Sequence, residues 1–408
     1  MTSSKLVKRI VTCQGSIQLV TALSVLSYRE KERHGLGHEY ENYLVIYDLY
    51  SPPGQIDAFA AFLKKMAEFI CDWKAIVYLT PAQMKDIASK LNSTSPSKIF
   101  ERVYELVGTD SAEEIYLSRN WQFGNQLFIN AYQLAEKICY GDGIGIYFSS
   151  NSSAFFPVSF PLYLKAKIKG AIGNIQEKLQ LKKSLKTLEF DIGYFVLPDI
   201  MGESPPMKTV TLDRKILLET FQKLRGLVES EYLSNFRQRV ANAPVSILLT
   251  SNFSEAGRMS LENEIAAYRQ FLISEGIEEN TVLAIKPHPR DDNSKIQKLA
   301  SALSDLFVEV LILSEPTLFF LPFEVFFAEA FVQPDLTLTN QIKVFAVSSA
   351  CLSLKLLYNL PSIVGFGEQI TPQVFYKNYA AGRLEHELEL RSAIKNIEGT
   401  VIITDGLS

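Results

Sequence analysis

Short runs of β-branched and aromatic residues recur along the chain, each followed by a longer stretch with apolar residues at helical spacing, and this alternation limits the fold more than any other feature. Strand and helix in turn favour crossover connections, hence a mostly parallel sheet covered by helices. In the first half, strands are predicted at residues 9–12, 43–49, 75–79, 114–117 and 138–140, with helices at 15–27, 55–71, 81–91, 97–106 and 122–137. The turn Ser51-Pro52-Pro53-Gly54 separates the second strand from its helix. Between residues 150 and 243 the pattern blurs; a strand over 190–197 and helix over 215–241 are predicted, and the stretch reads as a hinge. A second series follows Ala243-Pro244, with strands at 245–250, 281–285, 308–313, 342–347 and 362–366. Its helices fall at 260–275, 294–303, 323–330 and 350–358, and a last one covers 383–397.

A chain of 408 residues exceeds what one hydrophobic core usually organises. The expected architecture is α/β, with two Rossmann-like, doubly wound domains facing each other across a cleft. The first spans 1–243 and the second 244–382, with 383–408 free to cross back to the first. In open parallel sheets ligands collect beyond the carboxyl ends of strands, which points to the loops after Tyr140, Ile285 and Val347.

With 47% apolar residues, 21% charged residues and a formal net charge of -4, the chain is neither disordered nor suited to nucleic acid, whose phosphates demand a basic footprint. Cys13, Cys71, Cys139 and Cys351 are scattered without a Cys-x-x-Cys pair or a nearby His, which excludes a zinc site or a disulfide framework and fits reduced cytoplasmic thiols. Lys5, Lys8 and Arg9 precede a stretch broken by Gln14, Ser16 and Gln18 with no signal-type cleavage region. No segment reaches the roughly 20 unbroken apolar residues of a membrane helix. The expected location is the cytoplasm, and any membrane-linked substrate would have to be reached from the surface. Lys165, Lys167, Lys169, Lys178, Lys182, Lys183 and Lys186 form a basic stretch that can hold an anionic glycan or rest on the inner membrane's acidic headgroups; a solvated face is the alternative.

Four short elements carry chemistry. Lys286-Pro287-His288-Pro289-Arg290-Asp291 follows a predicted strand, so the prolines fix an imidazole at a strand's carboxyl end between two cations. Such a ring can donate to a phosphate and, when protonated, neutralise its charge; a proline-bounded turn is the plain alternative. Ser348-Ser349 lies at a strand-to-helix junction, where hydroxyls and free helix N–H groups can hold a phosphate or the serines can simply cap the helix. Tyr140-Gly141-Asp142-Gly143 closes a strand and offers either a general base beside flexible glycines or an ordinary turn. Pro322-Phe323-Glu324 opens an apolar helix, and Glu324 can accept from ribose hydroxyls or complement the helix dipole.

In order and approximate spacing these elements resemble the bacterial sialyltransferase and polysialyltransferase families, which have an acidic-acidic-Gly motif, a His-Pro motif, a Pro-x-Glu element and a Ser-Ser or Ser-Thr motif. The matching stretches are Gly141-Asp142-Gly143, His288-Pro289, Pro322-Phe323-Glu324 and Ser348-Ser349, and Ile17-Gln18 and residues 120–125 also look familial. The resemblance implies a GT-B fold and an inverting glycosyltransferase that moves sialic acid, or a related nonulosonic acid, from a CMP-sugar donor to a glycan acceptor without metal or other cofactor. It implies Asp142 as general base and His288 as the group that helps CMP leave. Lys286, Pro289, Arg290, Glu324, Ser348, Ser349 and Gly143 would bind the donor, and Gln18, Asn120 and Asn125 would lie on the acceptor side. Gly141 departs from the family, standing where the first of two acids is usual. The alternatives are a GT-B transferase or epimerase using another nucleotide sugar, and a non-catalytic nucleotide- or glycan-binding homologue.

Overall fold

The computed structural model describes residues 5–34, 37–51, 54–91, 93–148, 185, 186, 188–202 and 204–405. The basic stretch, apart from Lys186, lies outside the described residues. Seven parallel strands form the first sheet: β1 (Lys5–Cys13), β2 (His38–Ile46), β3 (Ala75–Tyr78), β4 (Glu114–Leu117), β5 (Glu136–Cys139), β6 (Ile192–Phe195) and β7 (Lys208–Thr211). Their order is β3-β2-β1-β4-β5-β6-β7. The second sheet is also parallel, with β8 (Val245–Leu249), β9 (Val282–Lys286), β10 (Glu309–Ile312), β11 (Ile342–Ala346) and β12 (Ser362–Val364) in the order β10-β9-β8-β11-β12. Each order reverses once, between β1 and β4 and between β8 and β11, which opens a crevice at the strands' carboxyl ends.

The connecting helices are α1 (Ser16–Glu32), α2 (Ile56–Ile70), α3 (Pro81–Lys90), α4 (Pro96–Val107) and α5 (Phe123–Ala131), then α6 (Arg214–Lys223) and α7 (Ser230–Val240). The second half adds α8 (Leu261–Ser274), α9 (Asn293–Leu303), α10 (Pro316–Phe320), α11 (Phe323–Phe331), α12 (Ala350–Tyr358), α13 (Gly367–Val374) and α14 (Lys377–Asp405). Central strands such as β8 and β9 are buried along their whole length, as their unbroken apolar sequences require.

Residues 214–240, expected to be largely helical within a hinge region, form two packed helices. Ser24 of α1 and Thr220 of α6 share a 2.7 Å hydrogen bond, Arg214 donates to the Leu356 carbonyl of α12 at 3.1 Å, and Phe236 of α7 meets Phe326 of α11 edge-on. Phe320 of α10 stacks on Phe59 of α2 at 5.2 Å, so one apolar core runs from the first sheet's helices into the second sheet's. The helix predicted over 215–241 is broken by a short 3-10 turn at Arg225–Leu227, after which Glu229 caps α7.

The final helix starts at Lys377 rather than residue 383, and its contacts belong to the second half of the chain. Arg383 donates to the Val347 carbonyl at 2.6 Å, Glu387 accepts from the Gly367 N–H at 2.8 Å, and Arg391 donates to the Val364 carbonyl at 2.9 Å. The two halves meet where α6 packs on α1 and α12 and where α10 stacks on α2.

Candidate functional site

Beyond β5 the chain makes a tight turn in which Asp142 and Ile146 exchange backbone hydrogen bonds of 2.8 and 3.0 Å. Gly141 enters it at φ +78°, and a Cβ there would come within 2.7 Å of the Ile146 carbonyl oxygen. Any side chain at this position would be strained, so the turn as it stands favours glycine. The Asp142 carboxylate is held on three sides. Its Oδ1 accepts from Gln18 Nε2 at 2.7 Å and from the Gly143 N–H at 3.0 Å, and its Oδ2 pairs with Arg119 at 2.7 Å. Gln18, in the first turn of α1, is aimed by the Gln14 N–H, which donates to its Oε1 at 2.9 Å. Ends of β1, β4 and β5 therefore converge on one carboxylate.

Two other residues expected on this side make their hydrogen bonds to groups other than Asp142. Asn120 donates to the Leu188 carbonyl at 3.0 Å, while Asn125 is only 1% exposed and accepts from the Tyr47 hydroxyl. Among the described residues neither hydrogen-bonds Asp142.

In the second sheet, β9 ends at Lys286 and delivers the proline-bounded loop. The His288 N–H donates to Asp291 Oδ2 at 2.8 Å and Thr250 Oγ1 at 2.9 Å, and its Nδ1 accepts from the Arg290 N–H at 3.1 Å. With Nδ1 an acceptor, the neutral ring carries its proton on Nε2 and presents a donor. Burial, helped by the nearby cations Lys286, Arg290 and Lys295, pushes the imidazole's pKa down to about 3. His288 is therefore neutral near pH 7, which favours the donor role over charge neutralisation by the ring. The charge comes from Lys286, which burial lowers to about 8 although Asp291 and Glu324 oppose the shift; its ammonium lies 5.3 Å from the centre of the Phe319 ring.

The loop rests on a buried ionic network that the sequence reading missed. Lys295, 1% exposed, donates to Asp291 at 2.7 Å, Glu255 at 3.0 Å, Glu264 at 3.1 Å and the Ser251 carbonyl at 3.0 Å. The spacing of Asp291 and Lys295 at i and i+4 was the available signal, but it looks like any surface helix pair. Pro289 and Arg290 lie on the rim of the same loop. The Arg290 guanidinium stands 5.0 Å from the ring centre of Tyr50, which follows β2 in the first sheet. This contact sets the His288 loop against the carboxyl-end loops of the first sheet.

Ser348 and Ser349 occupy the predicted junction between β11 and α12, both half-buried. Ser349 is the N-cap by position, yet its side chain makes no capping hydrogen bond. The Ser349 hydroxyl is therefore not used for capping, while the Leu352 N–H in the first turn of α12 already donates to the Ser349 carbonyl at 3.0 Å. Glu324, at the start of α11, is 8% exposed, and burial raises its pKa against the pull of Ser353 and Lys286. The Ser353 contact ties it to α12.

Two parallel, doubly wound sheets with carboxyl-end loops that meet at Arg290 and Tyr50 have the Rossmann-like architecture of the GT-B type. The sequence matches the model of the alpha-2,8-polysialyltransferase family over residues 9–333, and the chain belongs to that family. It is accordingly a sialyltransferase-like glycosyltransferase. No curated protein sequence matches it. Similar solved structures include the UDP-GlcNAc 2-epimerase of Neisseria meningitidis bound to UDP-GlcNAc, at 10% identity and a TM-score of 0.47 over 99% of this chain and 100% of that one. Another is the Escherichia coli heptosyltransferase WaaC with ADP-2-deoxy-2-fluoro heptose, at 12% identity and a TM-score of 0.35 over 96% of this chain and 99% of that one. Among the described residues no helix is long and apolar enough to cross a membrane.

Proposed function

We propose that the protein transfers sialic acid, or a related nonulosonic acid, from a CMP-sugar to a glycan hydroxyl with inversion and without metal. In this reading residues 1–243 hold the acceptor and 244–382 the donor. The observation that carries it is the Arg290–Tyr50 contact, which turns the His288 loop toward the half of the chain that holds Asp142.

The donor's glycosidic bond breaks through an oxocarbenium-like state, so the leaving phosphate gains charge as the anomeric carbon loses it. His288 donates through Nε2–H, the Lys286 ammonium supplies the compensating charge, and Ser348 and Ser349 with the α12 N-terminus hold the phosphate oxygens. Glu324 takes the ribose hydroxyls. On the other side Asp142 removes the acceptor hydroxyl's proton as the oxygen attacks, and Arg119 and Gln18 keep its oxygens oriented. The protein acts from the cytoplasm on acceptors at the membrane surface.

A thermal-shift panel with CMP, UDP and GDP tests the donor: saturation at about 100 times the dissociation constant adds roughly 2.7 kcal/mol. Stabilisation by CMP alone is expected, with slow CMP release from CMP-sialic acid in the absence of acceptor. Equal or greater stabilisation by UDP overturns the donor assignment, and CMP binding with no release or transfer marks a binding homologue.

A further inference from the structure

At the reversal point of the first sheet, several polar atoms are buried with nothing to bond. Gln14, directly after β1, is 2% exposed, yet neither its Nε2 nor its Oε1 has a partner. Asn125, in the first turn of α5, leaves Nδ2 unpaired, and Gln122, the residue before α5, leaves Oε1 unpaired. Gln122 Nε2 donates to the Tyr50 hydroxyl at 3.2 Å, and the Tyr50 N–H donates to the Gln14 carbonyl at 3.3 Å. Gln122 holds Tyr50 by its side chain, Gln14 holds it by its backbone carbonyl, and Asn125 accepts from Tyr47, so all three line the segment after β2 that carries Tyr50, which meets Arg290. Asp48 completes the cluster at the end of β2. It has φ +46°, and its Oδ2 stands 3.0 Å from where a Gly124 Cβ would be, against the start of α5.

Buried polar groups without protein partners cost a folded protein stability unless water or a ligand supplies the missing bonds. Here the free atoms are two amide nitrogens that donate, two amide oxygens that accept, and a carboxylate. Neutral carboxamides beside a carboxylate match vicinal hydroxyls, which donate and accept together. The Gln14 backbone N–H holds Gln18, which in turn holds Asp142, so one residue links this segment to the carboxylate.

We propose that Gln14, Asp48, Gln122 and Asn125 form the acceptor subsite and read the polyhydroxylated part of the acceptor sugar. The assignment rests on the transferase reading above. The probe is a fluorophore-tagged trimer of α-2,8-linked sialic acid, titrated by anisotropy against the full chain with CMP present. Gln14→Met and Asp48→Asn should each weaken trimer binding at least tenfold, while stabilisation by CMP persists. Gln14→Met should also raise the melting temperature, because it removes two unpaired polar atoms; a purely structural glutamine would lower it. Failure of the wild type to bind the trimer, unchanged affinity in both variants, or a lower melting temperature in Gln14→Met overturns the subsite. Loss of CMP stabilisation in the wild type instead sinks the donor reading, so the two failures are distinct.

Discussion

Replacing Lys295 by methionine tests how firmly the histidine loop is held. The ammonium is 1% exposed and serves three carboxylates, of which Asp291 and Glu264 are fully buried and Glu255 is 24% exposed. Methionine keeps most of the volume and removes the charge. Glu255 can turn to water, but Asp291 and Glu264 cannot, and breaking a buried ion pair from one side typically costs about 3–5 kcal/mol. Both keep other donors, Asp291 from Thr250 and the His288 N–H, Glu264 from the Ser254 N–H at 2.8 Å. That places the expected loss near the lower end, about 3 kcal/mol by urea denaturation at pH 7.5.

The deficit also has a pH signature. Burial pushes the Asp291 carboxyl up to about 6 even though Lys295 pulls it down. A carboxyl raised above its unfolded value of about 3.9 contributes stability that is fully present below that pH and lost as pH rises through the folded value. Without Lys295 the folded value climbs further, so the variant's deficit should shrink between pH 7.5 and pH 5, where Asp291 takes up a proton. Transfer should fall as well, because Asp291 accepts from the His288 N–H. Stability within about 0.5 kcal/mol of wild type at pH 7.5, or a deficit that grows on acidification, would falsify the network's role.

Asp142→Asn should cut transfer by about 100-fold or more while leaving the melting temperature near that of the parent; wild-type turnover would remove Asp142 from the role of base. Gly141→Asp, which restores the family's acid, should destabilise the protein by about 1–3 kcal/mol and bring no gain in transfer, since the backbone there is left-handed and the Ile146 carbonyl leaves no room. An active, stable Gly141→Asp enzyme would show that the turn is not fixed. The apparent KM for donor should rise as pH increases through about 8, where Lys286 loses its proton, and Lys286→Met should abolish that limb. No inflection from His288 should appear between pH 5 and 8, because its ring titrates at about 3; an acid limb near 6.5 would show that the ring works as a cation.

The elements that proved legible in the sequence are those with local causes. Pro287 and Pro289 around His288, the glycines around Asp142 and the serine pair after an apolar run each mark a strand's end by backbone chemistry that needs no distant partner. Arg119 was not legible, because its partner Asp142 lies 23 positions on and meets it only when β4 and β5 pair. Lys295 and Glu264 are 31 positions apart, and each resembles an ordinary surface charge until burial between α8 and α9 is known. Strand β7 is short and mostly exposed, so KTVT shows no periodicity, and α13 carries Pro372 inside it, which argues against helix locally. The split of residues 215–241 escaped notice because helical spacing continues across the 3-10 turn.

The shared core between the halves bears on how the proposed reaction would be organised. Lobes joined by a loose linker would need closure to bring an acid from one sheet to a phosphate site in the other. Here α6 packs on α1 of the first half and on α12 of the second, and α10 stacks on α2, so apolar burial fixes much of the separation before any ligand arrives. The remaining freedom lies in the loops at the strand ends, where Arg290 and Tyr50 are both exposed. Because β9 is the second sheet's counterpart of β2, each being the strand beside its sheet's first, the two loops that meet occupy equivalent places in the winding. Removing the Tyr50 ring should therefore alter the entry of donor and acceptor while leaving the core that sets their distance untouched.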